Sequence, residues 1–498
     1  MKRIYNTAIC LLLAAIGLGN ALTASAEEIG RLPIQQQKMI EEYVERERTA
    51  SNIPGIAISI VHGDEIVYTK GFGTTDNKDT PVTPDTPFYI GSVGKTFTAL
   101  AIRQLEGEGK LDSKAFVTEY IPWFTLADGK GNQITVEDLL GHTSGLSTPA
   151  GNEAYSYNSK YSIEEAVRQI NKRAKTNRPV GESYEYSNLN YVILGLIVEA
   201  VSGMNYEDYL QQKIFTPMQM ENSYSSKEKA LKNGLSEGFH ELYGINVPID
   251  CPYPTGQVPA GYQLSSANDM ARYVVYFLNN GYADGKSILQ NNQLAAVRDP
   301  LKPFGGRDYY YSLDWGITID PAIHDYNRFY GFLGATSNFN SAMLLSQVHR
   351  YGIVVLVNQR GSYRKPELMA QVIGNGISDI LLHDTIPAPF ERTYDRKVLV
   401  IPILVLIITI LSILSCIRFY RKPSVPKGWI ANVYLVIIHI IVPAILLIGM
   451  PILYDADWRY FLNNGIEIGL PAFLLSLVLL TTGVVKMILL RIKTRQAS

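Results

Sequence analysis

The sequence predicts an α/β fold in which an antiparallel sheet is flanked by helices and accompanied by a mostly helical second lobe. Three transmembrane helices are predicted to follow it. Alternating apolar and polar residues mark two hairpins, 55–61 with 65–70 and 341–347 with 351–358. The stretch between the hairpins shows helical spacing, and long uncharged runs follow residue 395. Strands at both ends of one segment, enclosing helices, indicate a sheet built from both termini.

The composition excludes several classes of protein. The 498 residues carry 45 Lys+Arg and 46 Asp+Glu, a net charge of −1. Binding to nucleic acid through overall basicity is excluded, because no cationic excess exists to displace counterions. The 3 cysteines cannot form a disulfide framework, and a chain of this size needs none. The charged fraction of 18% is low for a soluble protein, and this low charge is either uniform along the chain or concentrated in membrane segments.

Residues 1–26 have the pattern of a secretory signal peptide. Lys2 and Arg3 precede an apolar stretch at 8–18, and Ala24-Ser25-Ala26 is a small-x-small cleavage site. An uncleaved anchor helix is the alternative, but the apolar stretch is short for one. We therefore expect the mature chain to begin at residue 27.

Three uncharged runs near the C-terminus are long enough to cross a bilayer. They comprise 398–416, 429–453 and 468–485, with 19, 25 and 18 residues. A hydrocarbon core of about 30 Å needs roughly 20 helical residues. Buried helices of a soluble protein are the alternative, but such helices carry a polar stripe that these runs lack.

Charges around these runs predict the orientation. Basic residues follow the first and the third run: Arg418, Arg421, Lys422, Lys427, Lys486, Arg491, Lys493 and Arg495. Positive segments stay in the cytoplasm, so the C-terminus is predicted to be cytoplasmic. We expect an extracytoplasmic domain at 27–395 and a multi-pass cell-membrane domain at 396–498. The signal peptide predicts the same topology independently.

The domain's helices and its candidate nucleophile follow from periodicity and spacing. Helices are predicted at 163–173, 191–202, 269–279 and 366–382.

Ser-x-x-Lys occurs four times, at Ser92, Ser226, Ser362 and Ser424, but only Ser92 opens an apolar helix, at 99–106. Ser92 and Lys95 would share one face of the first turn. A desolvated lysine can be neutral enough to activate a serine, and a helix N-terminus favours an oxyanion. As the alternative, Ser92 is an exposed helix cap without chemistry.

Further motifs accompany Ser92-Val93-Gly94-Lys95, at 134–146, 179–182, 184–195 and 259–270. With them the sequence resembles the serine β-lactamase and penicillin-binding-protein superfamily, especially its class C and D,D-peptidase-like branch, over nearly all of 35–385. The resemblance implies that Tyr186 of Tyr-x-Asn is a general base or proton shuttle. A free phenol has a pKa of about 10, so Tyr186 would need a partner such as Lys95. Asn188 would bind a substrate amide, and His142 would be structural.

The third motif of this superfamily, at 330–341, departs from the usual pattern. Phe332 occupies the position of a lysine or histidine, so no side chain there can donate to a substrate carboxylate. His324 or Arg328 could substitute in space. The backbone N–H groups of Ser92 and Ala335 would still form an oxyanion hole. Gly334 and Asn338 would contribute to substrate binding.

These features predict a membrane-anchored acyl-serine hydrolase, a peptidase or amidase acting on peptides that contain a D-residue. Wall stem peptides and secreted secondary metabolites are the candidate substrates, and a prodrug-activating peptidase of a peptide metabolite pathway is an alternative. The alternative from another class is a binding or sensing protein without turnover, which Phe332 favours. Lipid is the expected membrane partner, with the helices holding an acyl chain or serving as a tether. No metal-binding or phosphate-binding motif is present, so we expect no metal and no cofactor.

Overall fold

The computed structural model describes the chain from residue 31 onward with some gaps. The described residues are 31–153, 160–279 except 252, short strands between 281 and 312, 330–394 except 362–363 and 366–367, 396–421, 433, 436–453, 458, 461 and 466–497. The predicted signal peptide, His324 and Arg328 lie outside the described residues. The signal peptide therefore stays a prediction.

The strands of the described chain are numbered in chain order. They are β1 Gly55–His62, β2 Glu65–Gly73, β3 Phe88–Tyr89, β4 Phe239–Leu242, β5 Ile245–Pro248, β6 Leu264–Ser265, β7 Tyr282–Ala283, β8 Lys286–Ser287, β9 Pro300–Phe304, β10 Tyr309–Ser312, β11 Tyr330–Ala335, β12 Asn340–Ser346, β13 Tyr351–Val357, β14 Gln359–Arg360, β15 Arg364–Lys365 and β16 Thr393–Tyr394.

The central sheet has five antiparallel strands in the order β11-β12-β13-β1-β2. Strand β1 joins the two ends of the domain, because Ile56 pairs with Val357 of β13 and with Phe72 of β2. The two predicted hairpins are confirmed as β1-β2 and β12-β13. Strand β11, which carries the third motif, forms one edge of the sheet.

The helices of the described chain are likewise numbered in chain order. They are α1 Ile34–Ala50, α2 Lys95–Gly107, α3 Val117–Tyr120, α4 Val136–Leu140, α5 Thr148–Glu153, α6 Ile163–Arg173, α7 Asn188–Ser202, α8 Tyr206–Leu210, α9 Lys227–Lys232, α10 Val258–Gly261, α11 Ala267–Leu278, α12 Met369–His383, α13 Arg396–Arg421, α14 Ile437–Ile452 and α15 Ile466–Ala497.

Helices cover both faces of the sheet. On one face α1 packs against α12, where the Tyr43 hydroxyl donates to the Val372 carbonyl at 2.9 Å. On the other face α11 joins the helical lobe built around α2 and α7. The predicted helix at 163–173 coincides with α6, which Ser162 caps by accepting from the Glu165 N–H. The α/β fold with a helical lobe is therefore confirmed.

In the part of the chain that the structure describes, two C-terminal helices are long and apolar enough to cross a membrane. Their spans are Val400–Arg421 and Ile466–Leu489, and the shorter apolar helix α14 lies between them in the chain. The predicted run at 429–453 contains α14, and most of its other residues lie outside the described part of the chain. A bent pair, α7 with Tyr206–Phe215, is also apolar, but its side chains are buried in the helical lobe. We therefore assign that pair to the core of the domain.

Candidate active site

A tight turn places Ser92 between the sheet and helix α2. Strand β3 pairs with β6, and the chain then enters a 3₁₀ turn over Gly91–Gly94 before α2 begins at Lys95. Gly91 has φ +55°, which favours glycine. A side chain at this position would also press on the backbone of Gly334 and Ala335 in β11. The turn therefore brings Ser92 directly beside the edge strand.

Lys95 is fully buried and contacts three oxygen atoms. Its Nζ lies 3.2 Å from Ser92 Oγ and 2.7 Å from Asn188 Oδ1, and it also contacts the Ala260 carbonyl. Burial lowers the pKa of Lys95 well below its ordinary value. The Asn188 and Ala260 oxygens can only accept, so a neutral amine donates to both and directs its lone pair at the Ser92 hydroxyl.

The Tyr186 hydroxyl lies 2.7 Å from Ser92 Oγ, and Lys95 Nζ lies 5.0 Å from the centre of the Tyr186 ring. Burial raises the pKa of Tyr186 to about 12, and the hydrogen bond to Ser92 opposes that rise. The phenol is therefore protonated at neutral pH. It is suited to donating or relaying a proton, and Lys95 is better suited to be the base.

His142 supports the segment that carries Tyr186. Its Nδ1 accepts from the Ser187 backbone N–H at 3.1 Å and from the Asn190 amide at 2.8 Å. Two donors at Nδ1 require the imidazole to be neutral, and burial lowers the pKa of His142 in agreement with this. Its ring packs 4.6 Å from that of Tyr186. The structure thus gives His142 a supporting contact with Tyr186 and no hydrogen bond to Ser92 among the described residues.

Strand β11 brings Gly334 and Ala335 to the turn that carries Ser92. A Cβ at Gly334 would collide with the Ile90 carbonyl, and Ser341 Oγ, opposite Gly334 in β12, donates to the same carbonyl at 2.7 Å. Phe332 lies on the same face of the strand as Gly334 and is 4% exposed. The position at which the motif resemblance predicts a lysine or histidine is therefore filled by a buried apolar ring.

The structure does not bring Asn338 to the site. This residue is fully buried in the turn after β11, where its amide donates to the Ile249 carbonyl and its Oδ1 accepts from Thr336 Oγ1 at 3.3 Å. In this structure the Asn338 side chain holds the turn, and its contact with substrate stays a prediction. Motif order alone could not show this, because the direction of the side chain depends on the turn geometry.

Sequence reasoning missed two contributors to the site. The Ala260 carbonyl binds Lys95, but a backbone oxygen leaves no signal in residue type. His240 contacts the Ser337 carbonyl beyond β11, and its position in a short strand distant in sequence gave no pattern to recognise. Among the described residues no group of three or more His, Cys, Asp and Glu is placed to hold a metal ion.

A serine in contact with a buried lysine and a phenol, beside an edge strand, is an arrangement typical of a serine hydrolase. The Beta-lactamase family model matches residues 37–375, and the chain belongs to this family of serine hydrolases.

Related proteins agree with this assignment. The chain is 28% identical over 406 residues to Protein flp of Staphylococcus aureus (strain MW2), covering 78% of this chain and 76% of flp. It is 29% identical over 298 residues to Unguisins hydrolase ungD' of Aspergillus campestris, covering 55% of this chain and 49% of that protein. Its fold is similar to the octameric penicillin-binding protein homologue from Pyrococcus abyssi, with a TM-score of 0.58, 28% identity and coverage of 69% and 76% of the two chains.

Proposed function

We propose that the chain is a membrane-anchored, extracytoplasmic acyl-serine hydrolase, a peptidase or amidase in which Ser92 is the nucleophile. One observation carries the proposal. Ser92 Oγ lies 3.2 Å from the buried Lys95 Nζ and 2.7 Å from the Tyr186 hydroxyl, so one hydroxyl has a base and a proton relay in contact. An exposed helix cap would need neither of these partners.

The reaction begins when neutral Lys95 takes the proton of the Ser92 hydroxyl. Oγ forms a bond to the substrate carbonyl carbon, and the carbonyl electron pair moves to oxygen. The backbone N–H groups of Ser92 and Ala335 stabilise this oxyanion. When the oxyanion collapses, the bond to the leaving amine breaks, and Tyr186 donates the proton that the amine needs while recovering one from Lys95.

Deacylation repeats the sequence with water as the nucleophile. Water loses a proton toward Lys95 through Tyr186 and attacks the acyl carbon, and the bond to Ser92 Oγ then breaks. The proton returns to Oγ and a carboxylic acid leaves. Both protonation states of Lys95 fit its surroundings, because an ammonium donates to all three neighbouring oxygens and an amine donates to two. Lys95 can therefore take up or release a proton while its contacts with the Asn188 and Ala260 oxygens persist.

Two features support a neutral peptide substrate rather than one with a free carboxylate. Phe332 offers no cation on the edge strand. Asn188 uses Oδ1 to accept from Lys95, and no hydrogen bond of its Nδ2 is present among the described residues, so Nδ2 remains to donate to a substrate carbonyl. Resemblance to D,D-peptidases supports a D-residue in the substrate. The relative named as a hydrolase of unguisins supports a secreted peptide metabolite, including a prodrug, beside wall stem peptides.

A second candidate function is a binding or sensing protein without turnover, which Phe332 favours because it removes the cation of the third motif. The two functions differ in whether Ser92 reacts. In the binding protein a ligand occupies the site, and no Ser92-dependent covalent adduct or hydrolysed product forms.

The test uses the full-length protein in detergent with a fluorescent fluorophosphonate, a fluorescent penicillin and peptides that contain D-residues. We expect a fluorophosphonate adduct that Ser92→Ala abolishes, hydrolysis of the peptides, and little penicillin labelling. The matched control is Ser226→Ala, since Ser226 and Lys229 repeat the Ser-x-x-Lys spacing at the exposed start of α9. That variant should label like the wild type. Absence of a Ser92-dependent adduct together with absence of peptide hydrolysis would refute the enzyme and favour the binding protein.

A further inference from the structure

A buried polar contact joins the α/β domain to the last membrane helix. His240 in β4 and Glu467 in the first turn of α15 are both fully buried, and His240 Nε2 lies 3.1 Å from Glu467 Oε1. The other carboxylate oxygen, Oε2, has no hydrogen-bond partner among the described residues. Tyr243, in the turn after β4, donates its hydroxyl to the Glu467 backbone carbonyl at 2.6 Å. The first turn of α15 is therefore held by two separate contacts.

The opposite side of the His240 ring contacts the turn beyond β11. His240 Nδ1 lies 3.0 Å from the Ser337 carbonyl. A carbonyl oxygen only accepts, so Nδ1 carries a hydrogen. Nε2 then faces Glu467 Oε1 across 3.1 Å, and one proton must lie between these two atoms, since two lone pairs would repel each other. His240 thus bridges Glu467 and Ser337 through two directed hydrogen bonds.

Ser337 belongs to the turn that fixes the end of the edge strand. The Thr336 N–H donates to the Phe339 carbonyl at 3.0 Å, and the Arg360 guanidinium donates to the Thr336 carbonyl at 2.8 Å. Ala335, whose N–H is the proposed second donor of the oxyanion hole, directly precedes this turn. A shift of Ser337 would therefore be passed to the Ala335 amide through two peptide units.

We infer that Glu467 is a positioning residue: through His240 and Ser337 it holds the Ala335 N–H where the oxyanion forms. The inference rests on the proposed function, because it requires that the oxyanion hole is used. It makes α15 a part of the active-site scaffold rather than a tether. A domain displaced from the first turn of α15 would keep Ser92, Lys95 and Tyr186 in contact but would stabilise the oxyanion less well.

The competing explanation is that Glu467 only anchors the helix to the domain. Tyr243 supplies the matched control, because Tyr243→Phe removes a hydrogen bond to the same residue of α15 without touching His240 or Ser337. A further distinction comes from Glu467→Gln. The amide N–H of glutamine can donate to Nε2 and so keep His240 in place, whereas Glu467→Asp keeps the charge but is too short to reach it.

The experiment measures fluorophosphonate labelling of the full-length protein in detergent, resolved into the maximal rate and the half-saturating probe concentration. We expect the maximal rate to fall about tenfold in Glu467→Ala and Glu467→Asp, with little change in half-saturation, because a displaced oxyanion donor weakens the transition state. Glu467→Gln should stay within about twofold of the wild type, since its amide keeps the contact. Tyr243→Phe should be unchanged.

The outcomes separate the inference from the proposed function. A wild-type protein without a Ser92-dependent adduct overturns both. A wild-type protein that labels, with Glu467→Ala and Glu467→Asp labelling equally fast, overturns the inference alone. Equal losses in Glu467→Ala and Tyr243→Phe, without rescue by Glu467→Gln, establish a plain anchor and also overturn it. If Glu467→Ala shows no thermal unfolding transition, the maximal labelling rates of Glu467→Asp and Glu467→Gln test the inference instead. A lower rate in Glu467→Asp alone supports the inference, and equal rates in the two variants overturn it.

Discussion

Replacement of Gly91 by alanine should separate the geometry of the oxyanion hole from general stability. Gly91 has φ +55°, and a Cβ there would stand 2.8 Å from the carbonyl carbon of Gly334 and closer still to the Ala335 amide nitrogen. Ordinary contact begins at 3.4 Å, so β11 and the Ser92 turn must separate by about 1 Å. The two proposed oxyanion donors lie on opposite sides of this gap.

A displacement of about 1 Å at a reacting centre costs roughly 100-fold in rate, or about 2.7 kcal/mol of transition-state stabilisation. We therefore expect Gly91→Ala to label with fluorophosphonate about 100-fold more slowly than the wild type. Its stability should fall by about 1–2 kcal/mol for the left-handed backbone and by a further 1–3 kcal/mol, roughly, for the forced contact.

Gly109→Ala is the matched control for this experiment. Gly109 has φ +71° just beyond the far end of the helix that carries Lys95, and a Cβ there meets no atom within 4 Å. This variant should lose about 1–2 kcal/mol of stability and keep the wild-type labelling rate. A folded Gly91→Ala protein that labels as fast as Gly109→Ala would refute the proposed placement of Ala335 beside Ser92.

Three further predictions follow from the charged and polar groups of the domain. Lys95→Met should slow labelling by about 10²–10⁴-fold, because it removes the base, with circular dichroism confirming that the variant is folded. The labelling rate of the wild type should rise with pH and level off well below pH 10.5, since the neutral amine is reactive and burial lowers the pKa of Lys95; a rate still rising at the ordinary lysine pKa would contradict a lowered value. Burial raises the pKa of Asp269 from 3.8 to about 6. Between these two pH values the folded chain holds a proton that the unfolded chain has released. The free energy of unfolding should therefore fall by about 3 kcal/mol between about pH 4 and pH 7. Thermal unfolding of Asp269→Asn should lack that component.

Local patterns were sufficient for much of the fold. The structure confirms β1, β2 and α6, and the amphipathic spacing of α6 follows from which of its side chains face the core. Strand β1 is buried on both faces up to Val61, so its burial does not alternate as the sequence pattern suggests. Helix α7 begins at Asn188, three residues before its predicted start. Asn188 and Asn190 interrupt the apolar pattern because they are buried by hydrogen bonds to Lys95 and His142, which are remote in sequence.

Local sequence patterns were also sufficient to predict part of the candidate site. Ser92 and Lys95 are separated by one turn, so their spacing already implies contact. Tyr186 came from a motif, and its distance of 2.7 Å from Ser92 Oγ depends on the packing of the helical lobe against α2. Asn338 matched the motif in position, but the turn after β11 directs its amide toward Ile249.

The sequence by itself determined the class of protein, the serine and lysine of the centre and the presence of apolar C-terminal helices, because each of these is encoded by neighbouring residues or by a linear motif. Only the tertiary structure decided that Lys95 is fully buried, that Ala335 lies beside Gly91, and that Glu467 contacts His240 across 227 positions of the chain. Burial and the resulting pKa of a group depend on the atoms that surround it in space. Residues far apart in the chain supply those atoms, so no local pattern records them.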